Sequence, residues 1–380
     1  MRILIVKLGS IGDVVHTLPA LAAIKARVPD ARVSWVVERG AAEVLRDNPM
    51  LDELIEIDTR ALRRERFITN GEWSLARQIK RLRANRYDIA IDFQGLLKSA
   101  LIARLARASR RVGFSRASLR EPASRFLMNE TVEVPARAHI IERNLALVAG
   151  ALKIDPPQRA EYQFPVGVLA LHEEQAAQAI MQLSERGDVE PEFAILNPGG
   201  GWWTKQWSAE RFGTLADLLW EGEGLRSAIT FGPGEEELAA RVVAASRTGA
   251  AQGVSLPLRS YFALARRAQV YVGGDTGPTH IAIAAGAPIV GIFGPTEWWR
   301  NGSLHTEDTV VERTDVGCRE NCHRRECAQW VCMDIEVAQV YGAVRERLKH
   351  ERLKRERLKR ERAGRRNIFD SVVKEIVIGA

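Results

Sequence analysis

Short apolar runs alternate with amphipathic stretches along most of the chain. Ile3–Lys7 is apolar enough for a buried strand, and Gly9-Ser10-Ile11-Gly12-Asp13 follows it. Val14 to Arg27 then repeats with helical spacing. Arg32–Glu38 and Glu53–Asp58 predict strands, Trp73–Arg86 a basic amphipathic helix and Tyr87–Phe93 a further strand. Gly95–Ala108 predicts a helix, Arg111–Phe114 a short strand and His139–Leu152 another helix. Pro156-Pro157 suits the start of an interdomain segment. The pattern then begins again. Strand Phe193–Asn197 runs into Pro198-Gly199-Gly200-Gly201, followed by helix Ala209–Trp220 and strand Ser227–Phe231. Helices Glu235–Ala245 and Ser260–Arg267, strand Val270–Gly273, helix Pro278–Ala285 and strand Pro288–Phe293 complete it. Such alternation predicts an α/β protein with two Rossmann-like, doubly wound parallel sheets and a ligand cleft between them. The length of 380 residues agrees, because one core stops growing at about 250–300 residues.

Composition adds exclusions. With 46% hydrophobic and 27% charged residues the chain is ordinary globular sequence, not a disordered, collagen-like or disulfide-stapled one. No uncharged apolar stretch reaches the about 18 residues of a membrane span. The apolar run Ile3–Val6 is too short for a signal peptide and reads as a strand, so a cytoplasmic location is expected.

Charge changes the picture more. The formal net charge of +7 is not spread evenly. Residues Arg345–Arg366 hold 12 Lys/Arg and 4 Asp/Glu in a five-residue repeat (RERLK, HERLK, RERLK, RER). Leu348, Leu353 and Leu358 rotate by roughly 140° per step of a helix, so they form no continuous stripe and predict a solvated helix. Pairs such as Glu346–His350 and Glu351–Arg355 would support it. A second block, Arg60–Arg125, holds 17 Lys/Arg and 5 Asp/Glu inside folded sequence. The last residues, with Ile368, Val372, Val373 and Ile376, could dock back on the core.

Several glycine loops end strands and open helices, where backbone N–H groups favour anions. Gly273-Gly274-Asp275-Thr276-Gly277-Pro278-Thr279-His280 is the richest, although Asp275 or Thr276 could simply cap the helix. Lys205 follows three glycines and stands among Trp202, Trp203 and Trp207, a setting for a diphosphate contact or for a solvated lysine. Glu235 and Glu236 sit after a strand-ending Gly232, as a sugar contact or a helix start. Asp13 is either an N-cap or a carboxylate held in the cleft as a general base. The loop around it lacks the third glycine of a dinucleotide fingerprint, which disfavours an NAD-dependent oxidoreductase.

In combination these segments carry a resemblance. KLGSIGDVVHTLPAL at Lys7, YDIAIDFQGLLKSALIARL at Tyr87, REPASRF at Arg120, TKQW at Thr204, GDTGPTH at Gly274 and GIFGPT at Gly291 resemble the lipopolysaccharide heptosyltransferases of glycosyltransferase family 9. The resemblance covers about residues 1–340 and implies a GT-B fold. Trp35-Val-Val-Glu38, DFQGLLKSA and REPASRF look most like the members that add the first heptose to Kdo–lipid A. It implies inverting transfer from ADP-L-glycero-D-manno-heptose, with Asp13 as the base. Lys205, Gly200, Gly201, Glu236 (or Glu235), Asp275, Thr276, Gly277 and His280 would bind the donor. Ser10, Gly12, Arg60, Arg63, Arg64, Gln94, Lys98 and Arg120 would bind the acceptor. Lys and helix N–H groups can neutralise the diphosphate, so no cofactor is required for that role. An acceptor-binding domain over residues 1–160, a donor-binding domain over 161–344, the basic repeat over 345–366 and a terminal segment over 367–380 follow as expectations. So does peripheral contact with the cytoplasmic face of the inner membrane, since basic residues favour an anionic leaflet.

Two questions stay open. Heptosyltransferase II or another member with a different acceptor shares these motifs. Nucleic-acid binding through the repeat is not expected, because the repeat has no aromatic residue and one Glu in every five. All four cysteines lie in Cys318-x3-Cys322-x4-Cys327-x4-Cys332, with His323 beside them. The spacing is not that of a zinc ribbon, and a structural metal, a redox-sensitive pair and free thiols are the options.

Overall fold

A computed structural model of the protein describes residues 1–59, 75–184, 190–320, 322 and 324–378. The first sheet holds β1 (Arg2–Val6), β2 (Arg32–Glu38), β3 (Glu53–Ile57), β4 (Ile89–Asp92), β5 (Arg110–Phe114) and β6 (Glu130–Val132) in the order β3-β2-β1-β4-β5-β6. The second holds β7 (Phe193–Asn197), β8 (Arg226–Thr230), β9 (Ala251–Val254), β10 (Val270–Gly273), β11 (Ile289–Phe293) and β12 (Thr309–Glu312) in the order β12-β11-β10-β7-β8-β9. Every pairing is parallel, with Ile3 opposite Val33 and Ile89, and Gly273 opposite Asn197 and Gly291. Read from its own first strand, each sheet has the dinucleotide-fold order. β1 and β7 are central and almost wholly buried, because helices cover both faces.

The helices of the first half are α1 (Ile11–Val15), α2 (Leu18–Arg27), α3 (Leu75–Leu82), α4 (Leu97–Leu105) and α5 (Ile140–Leu152). Those of the second are α6 (Ala170–Gln182), α7 (Ala209–Glu223), α8 (Glu236–Ala245), α9 (Leu258–Ala265), α10 (Gly277–Ala284), α11 (Trp298–Asn301) and α12 (Val337–Ile378). The helix expected over Val14–Arg27 is two helices. Pro19 lies in the first turn of α2, where its missing N–H costs nothing, and the Thr17 hydroxyl bonds back to the Asp13 carbonyl at 2.9 Å.

The basic repeat is not wholly a solvated appendage. α12 begins before it, and Val340, Val344, Arg347 and Leu348 form a buried stripe of helical period against α7, β11 and β12. Arg347 lies 2.9 Å from the Asp308 carboxylate, with Glu351 at 3.4 Å. Leu353, one five-residue step after Leu348, is exposed, as the 140° rotation requires. The side chains of Ile368, Val372, Val373 and Ile376 lie outside the described residues.

The two halves share one buried cluster. Val15 and Val44 of the first half adjoin Phe262 and Ile281 of the second, and Arg259 pairs with Asp47 at 2.5 Å. This junction sets the distance between the carboxyl ends of the two sheets.

Candidate active site

α1 and α10, each at the carboxyl end of a central strand, start at the same cleft. A Cβ added to Gly12 would stand 2.3 Å from His280 Cδ2, and one on Gly277 3.2 Å from Ile11 Cβ. The glycines are therefore what lets the helix starts meet. Between them opens a cleft of about 730 Å³ lined by Ser10, Gly12, Asp13, Gly200, Gly201, Lys205, Glu235, Asp275, Thr276, Gly277 and His280, among others.

Asp13 is held from two sides. The Ser10 N–H donates to Oδ2 at 3.1 Å, and the Lys7 ammonium lies 3.3 Å from Oδ1. Lys7 is buried and also donates to the Phe93 carbonyl at 3.0 Å. Asp13 itself keeps 35% side-chain exposure, toward the cleft it lines. The N-cap of α1 is Ser10, so Asp13 is not that cap: it stands at the third position of the helix, accepts the Ser10 N–H, and its carboxylate lines the cleft. Lys7 is absent from the residues expected at the site. Its signal was a charged residue closing an otherwise apolar strand.

On the opposite wall Lys205 lies 2.6 Å from Asp275 Oδ2 and 4.3 Å from the Trp202 ring centroid. His280 Nε2 is 3.2 Å from the other carboxylate oxygen. Burial alone would raise the Asp275 pKa, but His280 and Lys205 overcome it and hold the carboxyl well below the usual range. Thr276 caps α10 by accepting the Thr279 N–H, and the His280 N–H bonds the Thr276 carbonyl. Pro278 has no N–H, which leaves that of Gly277 as the first-turn donor for a ligand. A carboxylate faces a lysine and a helix N-terminus across one cleft. That arrangement can deprotonate a hydroxyl on one side and hold a leaving anion on the other.

Other expected residues fall elsewhere. Glu235, not Glu236, reaches the cleft; it accepts the Gly232 N–H at 3.0 Å and lies against Gly199. Glu236 is exposed on the first turn of α8. Gln94 ties the turn after β4 to β1 by accepting the Leu8 N–H at 3.2 Å, and does not line the cleft. Lys98 is paired with Glu38 at 2.8 Å, also away from it. Arg120 lines an adjoining cavity with Arg143, Arg300 and Arg325. Arg60, Arg63, Arg64 and His323 lie outside the described residues.

The four cysteines are free and line one cavity of about 20 Å³, with Cys332 buried. Among the described residues no group of three or more ligating side chains is arranged to hold an ion as it stands. Backbone N–H groups of Trp330 and Gln329 lower the Cys327 thiol pKa, whereas burial and the other thiols raise that of Cys332. This segment also buttresses the Lys205 loop. The Thr204 hydroxyl donates to the Arg324 carbonyl at 2.8 Å, and the Trp330 indole N–H to the Thr204 carbonyl at 2.9 Å.

Three imidazoles meet at the junction, and sequence reasoning missed two of them. His16 lies 4.2 Å from His280 and 5.8 Å from His139 between ring centroids. His139 accepts the Ile141 N–H at Nδ1 and donates from Nε2 to the Gly302 carbonyl at 2.9 Å, which makes it neutral. Burial lowers its pKa to about 4, and burial with His280 and His139 pulls His16 well below its ordinary value. A histidine depressed in the fold contributes stability that is complete above pH 6.5 and lost as pH falls toward the folded value. For His139 this should cost about 1.4 kcal/mol per pH unit below 6.5, or ~2 kcal/mol at pH 5, and His16 acts in the same direction. Urea midpoints at pH 7 and 5 check this. His139→Gln should lose less stability than the wild type between the two, and an equal loss would show that His139 does not titrate there.

Comparison with known proteins agrees with this geometry. Residues 75–331 match the model of glycosyltransferase family 9 (heptosyltransferase). The chain is 34% identical over 329 residues to lipopolysaccharide heptosyltransferase 1 of Pseudomonas aeruginosa, covering 86% of this chain and 87% of the relative. It is 32% identical over 304 residues to the protein of the same name from Escherichia coli, covering 78% and 89%. Among solved structures, E. coli heptosyltransferase WaaC with ADP-2-deoxy-2-fluoro heptose superposes with a TM-score of 0.69 at 27% identity, covering 89% of this chain and 98% of that one. With two dinucleotide-type sheets facing a cleft that holds a carboxylate on one wall and an anion site on the other, the chain belongs to glycosyltransferase family 9, the heptosyltransferases.

Proposed function

We propose that the protein transfers heptose from ADP-L-glycero-D-manno-heptose to the Kdo of Kdo–lipid A, with inversion, in lipopolysaccharide inner-core synthesis. The observation that carries this reading is Asp13 facing Lys205, Asp275 and the Gly277 N–H across one cleft. In it, Asp13 takes the proton of a Kdo hydroxyl as that oxygen attacks the anomeric carbon. The bond from that carbon to the diphosphate breaks, and its electron pair leaves with ADP. One displacement inverts the centre through an oxocarbenium-like transition state. Lys205 and the Gly277 N–H meet the charge growing on the leaving diphosphate. Asp275 and His280 orient Lys205 and the helix start, and Glu235 contacts the nucleoside. In this scheme residues 1–160 bind the acceptor and residues 161–344 the donor.

The test is turnover of ADP-heptose with purified Kdo–lipid A, read as a product one heptose heavier by mass spectrometry. Transfer only to an acceptor that already carries a heptose would favour the second-heptose reading instead.

Membrane contact follows from the acceptor. Among the described residues no helix is long and apolar enough to cross a membrane. Leu97, Leu101 and Phe126 are exposed near Lys98, Arg104 and Arg125, a surface suited to an anionic leaflet. Co-sedimentation with anionic but not neutral vesicles is expected, and equal recovery with both would reject it.

We propose that the cysteine cavity takes up a structural, thiophilic ion, its thiols closing from their present spacing to ligate it. Four soft ligands surround one small space beneath the Lys205 loop. Protein purified without added metal is expected to carry about one zinc or iron per chain on elemental analysis. Four freely titratable thiols and no metal would reject this.

A further inference from the structure

Beside the catalytic cleft lies a second cavity, of about 520 Å³, whose charged lining is Arg120, Arg143, Arg300 and Arg325. Among the described residues no carboxylate lines it. The two spaces are continuous, because Trp202, Arg300 and Arg325 line both. Arg120 and Arg143 belong to the first half of the chain, Arg300 and Arg325 to the second. Elsewhere the fold pairs its arginines closely, as in Arg46 with Glu56 at 2.9 Å, Arg110 with Glu130 at 2.7 Å and Arg211 with Asp334 at 2.6 Å. None of the four cavity arginines has a carboxylate partner among the described residues.

The second observation concerns hydrogen bonding. Arg143 donates from Nη2 to the Ser118 carbonyl at 3.1 Å, but its Nε is buried without a partner. Burial, with the nearby Arg300, lowers its pKa. The Arg325 guanidinium lies 5.2 Å from the Trp202 ring centroid. Unpaired guanidinium groups brought together repel one another, and an unsatisfied buried N–H adds a desolvation cost. An anion with several oxygens relieves both, since a guanidinium binds carboxylate or phosphate in bidentate fashion.

We propose that this cavity is an anion subsite for the acceptor, built by both domains. In it Arg143, Arg300 and Arg325, with Arg120, hold a carboxylate or phosphate other than the sugar that reacts at Asp13. The assignment rests on the proposed transfer to an anionic glycolipid and deepens it. Two of the arginines come from the donor-binding half, so a polyanionic acceptor draws the domains together as it binds. A neutral acceptor lacks that gain. The site thus selects acceptors by their second charge.

The experiment compares wild type with Arg325→Ala, Arg300→Ala and the double variant, using donor and acceptor KM as readouts. Three acceptors are used: Kdo2–lipid A, the same lipid without its phosphates, and the lipid with a single Kdo. The double variant should raise KM for Kdo2–lipid A about ten-fold or more and leave donor KM unchanged. One truncated acceptor should lose affinity in wild type but not further in the double variant, which names the bound group as phosphate or as Kdo carboxylate. Arg325→Lys, which keeps the charge without the fork, should restore part of the effect. Unchanged acceptor KM overturns the subsite while leaving the transferase reading intact. A rise in donor KM alone overturns it too, by placing the arginines on the donor diphosphate. Absence of wild-type turnover with all three lipids overturns the functional reading, and this inference with it.

Discussion

Replacing Asp13 with alanine is expected to lower kcat by about 10²- to 10⁴-fold, the usual worth of a positioned general base. Donor KM should stay within about two-fold, because Asp13 lies on the wall opposite Lys205. Asp13→Asn separates the base from a spacer. The amide can keep the Ser10 N–H bond of 3.1 Å but cannot take a proton, so it should be as inactive as alanine. Alanine also removes the carboxylate that accepts the Ser10 N–H at the start of α1, a hydrogen bond worth about 1 kcal/mol, so Tm is read alongside. A kcat within ten-fold of wild type for Asp13→Asn would show that another group accepts the proton.

Lys205→Ala is expected to lower kcat/KM by about 10²–10³-fold, the cost of losing one preorganised charge-stabilising donor. It should also destabilise the fold, unlike a surface lysine change. Asp275 is 8% exposed, and removing its 2.6 Å partner leaves a buried carboxylate with His280 alone. Breaking a buried pair costs roughly 3–5 kcal/mol. The double variant Lys205→Ala/Asp275→Asn removes that stranded charge. Its Tm should recover by several degrees while its activity stays low, because the diphosphate contact is still missing. Recovery of activity with stability would mean that Lys205 acts only by holding Asp275.

These two residues illustrate how much of the site could be read from one dimension. Asp13 and Lys205 stand in loops that end strands and open helical structure, and such loops face a ligand in doubly wound folds. Glu235 and Glu236 show the limit. They are neighbours in sequence, but only the backbone path past Gly234, at φ 87°, decides which carboxylate turns into the cleft. Lys7, His16 and His139 sit within or beside apolar elements, where sequence offers no sign that a polar group has a partner. Lys7 is satisfied by Phe93, and His139 by Gly302, 163 positions away.

The same division holds for the fold. Central strands such as Ile3–Val6 and Phe193–Asn197 are continuous apolar runs because both faces are covered, and they are readable as such. The strands that escaped notice, β6, β9 and β12, are all at sheet edges, short and only partly buried. Their pairing is supplied by a neighbour and not by their own pattern. By itself the sequence determined the two doubly wound halves and the glycine loops that could bear chemistry, because periodicity and backbone freedom are local properties. Only the tertiary structure decided that α1 and α10 meet through Gly12 and Gly277 and that part of the basic repeat is buried. It likewise decided that four arginines distant in sequence share one cavity. Those facts depend on how two separately wound sheets pack, and packing energy is a property of surfaces that come together only in the fold.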